Sequence, residues 1–125
     1  MFRLPAVSAK LRLLLFLLYL ATIVAVSLLP LGTDSAKLRL FNNIMHAPVY
    51  AVFVLMLSGI LKSVAGLNAG RRFFISAFSA LAVGAAVELA QFAVANRSSS
   101  LSDLALNAAG VAAGLSIMYF RERRK

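Results

Sequence analysis

Four long runs of apolar residues constrain the fold of this chain more than any other feature. The first, residues 13–33, carries no charge, and further runs follow at about 44–61, 73–95 and 102–120. A helix that crosses the hydrocarbon core of a bilayer needs about 20 mostly apolar residues. The sequence therefore predicts an all-α integral membrane protein with four transmembrane helices, which form a single domain over residues 1–125.

Composition supports this class and excludes several others. Of the 125 residues, 62% are hydrophobic and 14% are charged, whereas soluble domains have roughly 25% charged residues. The absence of cysteine excludes disulfides, thiol catalysis and cysteine-ligated metal. The formal charge of +9 would suit nucleic acid, but the basic residues separate apolar runs instead of sharing a face with base-reading groups. We expect no nucleic-acid partner and no cofactor.

The first run has two interpretations. A basic segment precedes it, as in a secretory signal peptide, but the apolar region of such peptides is typically about 7–15 residues long. The run at residues 13–33 is longer, which favours a retained transmembrane helix. Pro30 and Gly32 are residues at which this helix is expected to end.

The distribution of basic residues predicts the orientation in the membrane. Ten of the 13 Lys and Arg residues lie in the N-terminal segment, in the connection between the second and third runs, and at the C-terminus. The other three lie in the two remaining connections. Because short cytoplasmic segments carry the excess of Lys and Arg, both termini of this multi-pass membrane protein are predicted to be cytoplasmic.

The connections carry local signals for helix ends. The polar segment 34–43 is expected to be a loop, with Asn42 or Asn43 as the cap of the second helix. Pro48 then lies in the first turns of that helix or bends it. Ser100 with Asp103 three residues later resembles a capping box at the start of the fourth helix.

Polar residues within the apolar runs are the candidate functional residues. A polar side chain at membrane depth is costly and usually functional. At the predicted orientation the polar positions fall in the outer half of the bilayer, and Arg97 lies just outside it. Spacings of three or four residues place them on common helix faces. We therefore expect a polar pocket, open to the extracytoplasmic side, that binds a ligand through His46, Tyr50, Glu88, Gln91, Arg97, Asp103 and Asn107.

Each of these residues also has a purely structural interpretation. Glu88 can be a carboxyl group that hydrogen-bonds a neighbouring helix. His46 can be an interfacial helix-end residue, and Tyr50 can belong to the packing. Asp103 suits the dipole at a helix N-terminus, and Arg97 can be a solvated charge. As metal ligands, His46, Glu88 and Asp103 form a poor set, and we expect no metal.

Two glycines extend the polar stripe of the fourth helix. Gly110 and Gly114 form a G-x-x-x-G pattern that continues from Asp103 and Asn107. Small residues at this spacing let two transmembrane helices approach closely. We expect them to be helix-packing residues, with the polar stripe of the fourth helix against the third.

The spacing E-x2-Q-x5-R-x5-D-x3-N-x2-G-x3-G, from Glu88 to Gly114, resembles the signature of the VanZ-like family of bacterial membrane proteins. The resemblance covers about residues 40–120 and includes His46 and Tyr50, which match an H-x3-Y or H-x3-F segment of that family. Asn42 and Asn43 stand where the family often has an acid and a lysine. Arg97 is then the obvious substitute as a charged partner.

The resemblance implies a role in the cell envelope, on the outer face of the cytoplasmic membrane. The founding member is associated with low-level resistance to the glycopeptide teicoplanin. Three functions remain open at this point. The pocket can bind a polar lipid headgroup or a lipid-linked envelope precursor; His46 and Glu88 can act as acid and base in an intramembrane enzyme; or the chain can be a small transporter, although its glutamate lies in the third helix and not the first.

Overall fold

The computed structural model describes residues 7–29, 36–94 and 101–124. It contains four helices: α1 (Ala9–Leu28), α2 (Ala36–Ser63), α3 (Ala69–Gln91) and α4 (Leu101–Arg123). No strand occurs in those ranges. Each helix contains a stretch long and apolar enough to cross a bilayer. The prediction of an all-α protein with four candidate spans is confirmed, while the orientation of its termini stays a prediction.

The start of α2 differs from the sequence prediction. The helix begins at Ala36 and not at residue 44, so Asn42 and Asn43 lie inside it and do not cap it. The segment from Ala36 to Phe41 consists of Ala, Lys, Leu, Arg and Phe, without glycine or proline. Most of these residues favour a helix. Polarity marks where the chain can leave the apolar layer, but it does not by itself end a helix.

Pro48 consequently lies in the interior of α2. Counted from Ala36, it comes more than three turns into the helix, given about 3.6 residues per turn. Of the two alternatives predicted for Pro48, a place in the first turns of the helix is therefore wrong, because it assumed a start at residue 44. Its missing N–H removes the donor that would normally bond the carbonyl of Ile44.

The other helix ends follow local capping chemistry. The Ser8 side chain accepts a hydrogen bond from the Leu11 N–H at 3.2 Å and starts α1 before the predicted residue 13. The Asn68 side chain likewise accepts from the Arg71 N–H at 2.9 Å and starts α3. Gly66, at φ 59°, makes the left-handed turn that this short α2–α3 connection requires. The signals at Pro30, Gly32 and Ser100 lie outside the described residues.

The α2 helix is the centre of the bundle, because it packs against α1, α3 and α4. Its most extensive interface is with α4, and within the described ranges α1 and α4 do not contact each other. Phe53 of α2 lies at the centre of the core, edge-to-face with Phe16 at 5.1 Å and stacked on Tyr50 at 6.3 Å. The Tyr19 hydroxyl donates to the Val49 carbonyl at 2.8 Å, which fixes α1 against α2.

Large apolar side chains cover the outside of the bundle. They include residues of α1 and α3 that are about half exposed or more, such as Leu17, Leu18, Phe74 and Phe78. In water, a surface with this much exposed apolar area would mark an interaction site. On four helices of spanning length it is the surface that faces lipid.

The two glycines of α4 pack against α2 and not against α3 as expected, while the polar residues of the same stripe lie against both helices. A Cβ on Gly110 would collide with the backbone of Ala47, and a Cβ on Gly114 would lie 2.9 Å from the Ala51 carbonyl oxygen. The G-x-x-x-G pattern indicates that another helix approaches α4 closely, but it does not indicate which helix that is. Here the partner presents two alanines one turn apart.

An ion pair closes the end of the bundle where α3 begins and α4 ends. Arg72 is 5% exposed, and its Nη2 lies 2.8 Å from Glu122 Oε1. Its Nη1 donates to the Ser58 hydroxyl at 3.3 Å. Lys62 lies 3.6 Å from the same carboxylate oxygen. Arg72, counted above only as an orientation signal, therefore also ties α3 to α2 and α4.

The glycine contact gives a direct test of the α2–α4 interface. Gly110→Ala should destabilise the folded protein by about 1–3 kcal/mol, because the added methyl must push the Ala47 backbone away. Gly59→Ala is the matched control, since a Cβ there meets nothing within 4 Å and alanine favours the helix by about 1 kcal/mol. Thermal unfolding in detergent measures both. Equal stability of the two variants would contradict this packing.

Candidate functional site

Four polar side chains from three helices converge at the end of the bundle opposite Arg72. This end combines the first half of α2, the last turn of α3 and the first turns of α4. Because α3 runs antiparallel to both neighbours, its C-terminal turn meets their N-terminal parts. The side chains that meet here, called the polar cluster below, are His46, Glu88, Asp103 and Asn107.

A hydrogen bond between α2 and α4 anchors the polar cluster. His46 Nδ1 and Asn107 Oδ1 lie 2.8 Å apart. An amide oxygen can only accept, so His46 must donate from Nδ1. This bond selects the tautomer in which Nε2 keeps its lone pair. The only histidine of the chain is therefore oriented, with one ring nitrogen left for chemistry.

The two acidic members of the cluster are buried. Glu88 and Asp103 are each 7% exposed. One oxygen from each carboxylate and one ring nitrogen of His46 lie within 4.8 Å of one another. The sequence analysis judged these three a poor metal set, and each of them lies on a different helix. The fold nevertheless places their donor atoms at one point, where they can hold a metal ion or exchange a proton.

Asn107 is the most deeply buried member, at 1% exposure. Its Nδ2 has no hydrogen-bond partner among the residues that the structure describes. Gly84 of α3 lets this amide pack closely against the α3 backbone, since a Cβ on Gly84 would lie only 2.9 Å from Nδ2. Asn107 thus orients His46 with one atom and offers a buried donor with the other.

Tyr50 lies beside the polar cluster and belongs to the core as well. It is 3% exposed and stacks on Phe53. Its ring carbons would lie 3.4 Å from a Cβ on Gly84, so it packs closely against α3. The packing role is therefore evident, and the predicted ligand-binding role of Tyr50 stays a prediction.

Gln91 binds to α1 and extends the polar region in that direction. It is 4% exposed, and its Nε2 donates to the Ser27 carbonyl at 2.9 Å. This bond joins the last turn of α3 to the last turn of α1. Gln91 was predicted to line the pocket. The contact that the structure shows for it is this hydrogen bond between α3 and α1.

A cavity of about 190 Å³ lies between α1 and α2 next to the polar cluster. Most of its wall is apolar, with hydroxyl, amide and imidazole groups among the lining side chains. His46 belongs both to the lining of this cavity and to the polar cluster. The lining residues are Tyr19, Thr22, Ile23, Val26, Ser27, Asn42, Met45, His46, Val49 and Tyr50.

The sequence analysis did not predict that α1 and Gly84 contribute to the polar site. Arg97 lies outside the described residues. Gly84 precedes Glu88 by four residues, and this shared helix face was the available signal for it. Tyr19 and Ser27 of α1 gave no comparable signal, because single hydroxyl residues are common in transmembrane helices.

The arrangement supports two kinds of chemistry. Buried donors and acceptors that face an apolar cavity can bind the polar end of an amphipathic molecule. A histidine with one bare nitrogen beside two carboxylates can also transfer protons or ligate a metal. The helices and the cluster together define a four-span membrane protein with a polar site between α2, α3 and α4.

Comparison with known proteins places this protein in a family. A family model described as VanZ/LLP1 matches residues 9–122, nearly the whole chain. The chain belongs to the VanZ/LLP1 family, which confirms the resemblance stated from its motifs. No curated protein and no solved structure gives a significant match.

The histidine tautomer can be measured directly. In ¹⁵N-histidine-labelled protein the single imidazole should show the Nδ1-protonated tautomer, because Asn107 Oδ1 accepts from that nitrogen. Asn107→Leu should remove this preference and leave the resonance nearer to that of free imidazole. Gly59→Ala, distant from the site, should not change the spectrum. A dominant Nε2-protonated form in the unaltered protein would contradict the geometry.

Proposed function

We propose that this protein acts in the cell envelope, in the bacterial cytoplasmic membrane, by binding a polar lipid headgroup or a lipid-linked envelope precursor. The polar cluster takes the headgroup and faces the extracytoplasmic side. The observation that carries the proposal is that His46 belongs both to the polar cluster and to the wall of the apolar cavity. A ligand that touches both regions has a polar end and an apolar end.

The residues of the apolar cavity and of the polar cluster indicate how such a ligand would be oriented. Ile23, Val26 and Val49 offer apolar surface to an acyl or isoprenoid chain. The Asn107 amide is a buried donor for a phosphate or carboxylate oxygen. Arg97, in the connection between α3 and α4, would clamp the same anionic group from outside the bundle.

An enzyme that acts on the same ligand is the second candidate. The convergence of His46, Glu88 and Asp103 within 4.8 Å favours it, because helix docking alone does not require three titratable groups at one point. In this reading His46 and Glu88 serve as base and acid. The substrate is then the lipid-linked molecule that the first candidate only binds.

Native mass spectrometry of protein ejected from membranes tests the binding site. A co-purifying lipid or precursor should be present on the unaltered protein and absent from Glu88→Ala, because the headgroup loses a buried partner. Glu122→Gln is the control, since it alters a carboxylate at the opposite end of the bundle.

The outcomes of this experiment distinguish the proposed binding site from the enzyme. A bound molecule that persists unchanged in both Glu88→Ala and Asn107→Leu would contradict the proposed site. Conversion of the bound molecule over time to a product, lost in His46→Ala, would favour the enzyme. Circular dichroism and gel filtration check that each variant folds.

Cysteine labelling tests the sidedness, since the chain has no cysteine of its own. Lys37→Cys and Arg124→Cys introduce single thiols at exposed positions on the two ends of the bundle. A membrane-impermeant maleimide should label Lys37→Cys in intact cells, and should label Arg124→Cys only after the cells are opened. The reverse pattern would place the polar cluster on the cytosolic side.

A further inference from the structure

We infer that the polar cluster is a binding site for one divalent transition-metal ion, with His46, Glu88 and Asp103 as ligands. This inference rests on the proposed ligand site, which it deepens, because a bound cation would receive a phosphate or carboxylate oxygen of the headgroup. It changes the expectation from sequence, in which these three residues had no metal role.

The donor atoms have suitable chemistry and spacing. One nitrogen and two carboxylate oxygens, each from a different helix, lie within 4.8 Å of one another. A zinc ion with bonds of about 2.0–2.2 Å to each donor holds neighbouring donors about 3.3 Å apart. The donor atoms would therefore have to approach one another by at most about 1.5 Å per pair to hold the ion.

The surroundings of His46 match those of a metal-bound histidine. Such residues almost always donate their second ring N–H to a carboxylate or carbonyl oxygen, which fixes the tautomer and makes the other nitrogen a better ligand. The 2.8 Å bond from His46 Nδ1 to Asn107 Oδ1 supplies this contact. Nε2 is then the ligand atom, held by a residue that is itself 1% exposed.

Burial adds to the chemistry of the donor set. Glu88 and Asp103 are each 7% exposed, and their carboxylates converge in the interior of a bundle whose outer surface is apolar. A divalent cation bound between them would offset the charge of both carboxylates.

The same site leaves a position for a further ligand. Asn107 Nδ2 is a buried donor without a hydrogen-bond partner in the described part of the chain. Gly84 lets this amide pack closely against α3. A water molecule or an anionic oxygen on the metal would accept from this amide. Three protein ligands with an open fourth position are the arrangement of reactive, and not purely structural, zinc sites.

The mixed donor set predicts a selectivity. Imidazole suits zinc and neighbouring transition metals, whereas magnesium and calcium prefer sites built only from oxygen. We expect Zn²⁺ to bind more tightly than Mn²⁺, following the general order of divalent affinities. Mg²⁺ and Ca²⁺ at the same concentration should not compete.

The test is a titration of purified, tag-free protein with Zn²⁺ after treatment with a chelator. One ion per chain should bind, and the ¹⁵N signal of the single histidine should shift at Nε2. Glu88→Gln and Asp103→Asn should each weaken binding at least as much as Asn107→Leu, for which the expected loss is about 10–100-fold. Glu122→Gln, the carboxylate control at the opposite end, should bind as the unaltered protein does.

The outcomes separate the metal from the proposed ligand. No Zn²⁺-dependent shift of the histidine signal, or a shift that survives in both Glu88→Gln and Asp103→Asn, overturns the metal site. Because the histidine signal is read in the unaltered protein, a variant that fails to fold does not block the test. Mass spectrometry in the presence of chelator then reports the lipid by itself, so a lipid that binds without Zn²⁺ dependence leaves the proposed function standing.

Discussion

The close approach of α2 and α4 at two glycines is the contact on which the rest of the structure depends. Between helices in lipid there is no hydrophobic driving force, so packing and hydrogen bonds must hold them together. Gly110 follows Asn107 by three residues, and its partner Ala47 follows His46 directly. The same approach that seats α2 on Gly110 therefore brings His46 to 2.8 Å from Asn107. The close packing of α2 on α4 and the polar cluster therefore belong to the same helix–helix interface.

The buried polar groups serve two different purposes. Gln91 with Ser27, and Arg72 with Glu122, are contacts that join one helix to another, as expected for polar residues between transmembrane helices. The polar cluster differs, because three titratable groups from three helices meet at one point. A single hydrogen bond, that of His46 and Asn107, already holds α2 to α4 there. The docking of three helices does not require two buried carboxylates beside a histidine, which is the physical argument for the proposed ligand.

Much of the fold could be predicted from the sequence, because lipid leaves few choices to four long apolar runs. The convergence of His46, Glu88 and Asn107 followed from depth and helical spacing alone. The partner of Gly110 did not follow, since a small-residue pattern carries no information about what it faces. The predicted start of α2 was wrong because the polar residues before residue 44 were interpreted as a loop. The contact of Arg72 with Glu122 was not predicted, because the basic residues of its segment were counted only as orientation signals. The close approach of the three possible metal ligands was not predicted either, because they lie on three separate helices and their spacing in the sequence does not indicate how closely they meet.

The weakest wall of the bundle lies next to the site. Only Phe16 and Ile23 of α1 are buried, and α1 does not contact α4 in the described ranges. The cavity lies between this helix and α2, and α1 is held in place by the hydrogen bonds of Tyr19 and Gln91 and by the packing of Phe16 on Phe53. For a ligand with an apolar chain, the favourable route to His46 runs sideways from the bilayer between α1 and α2, since the chain then never leaves an apolar medium. This route suits a membrane lipid better than a water-soluble molecule, and it explains why an imidazole forms part of a largely apolar cavity wall.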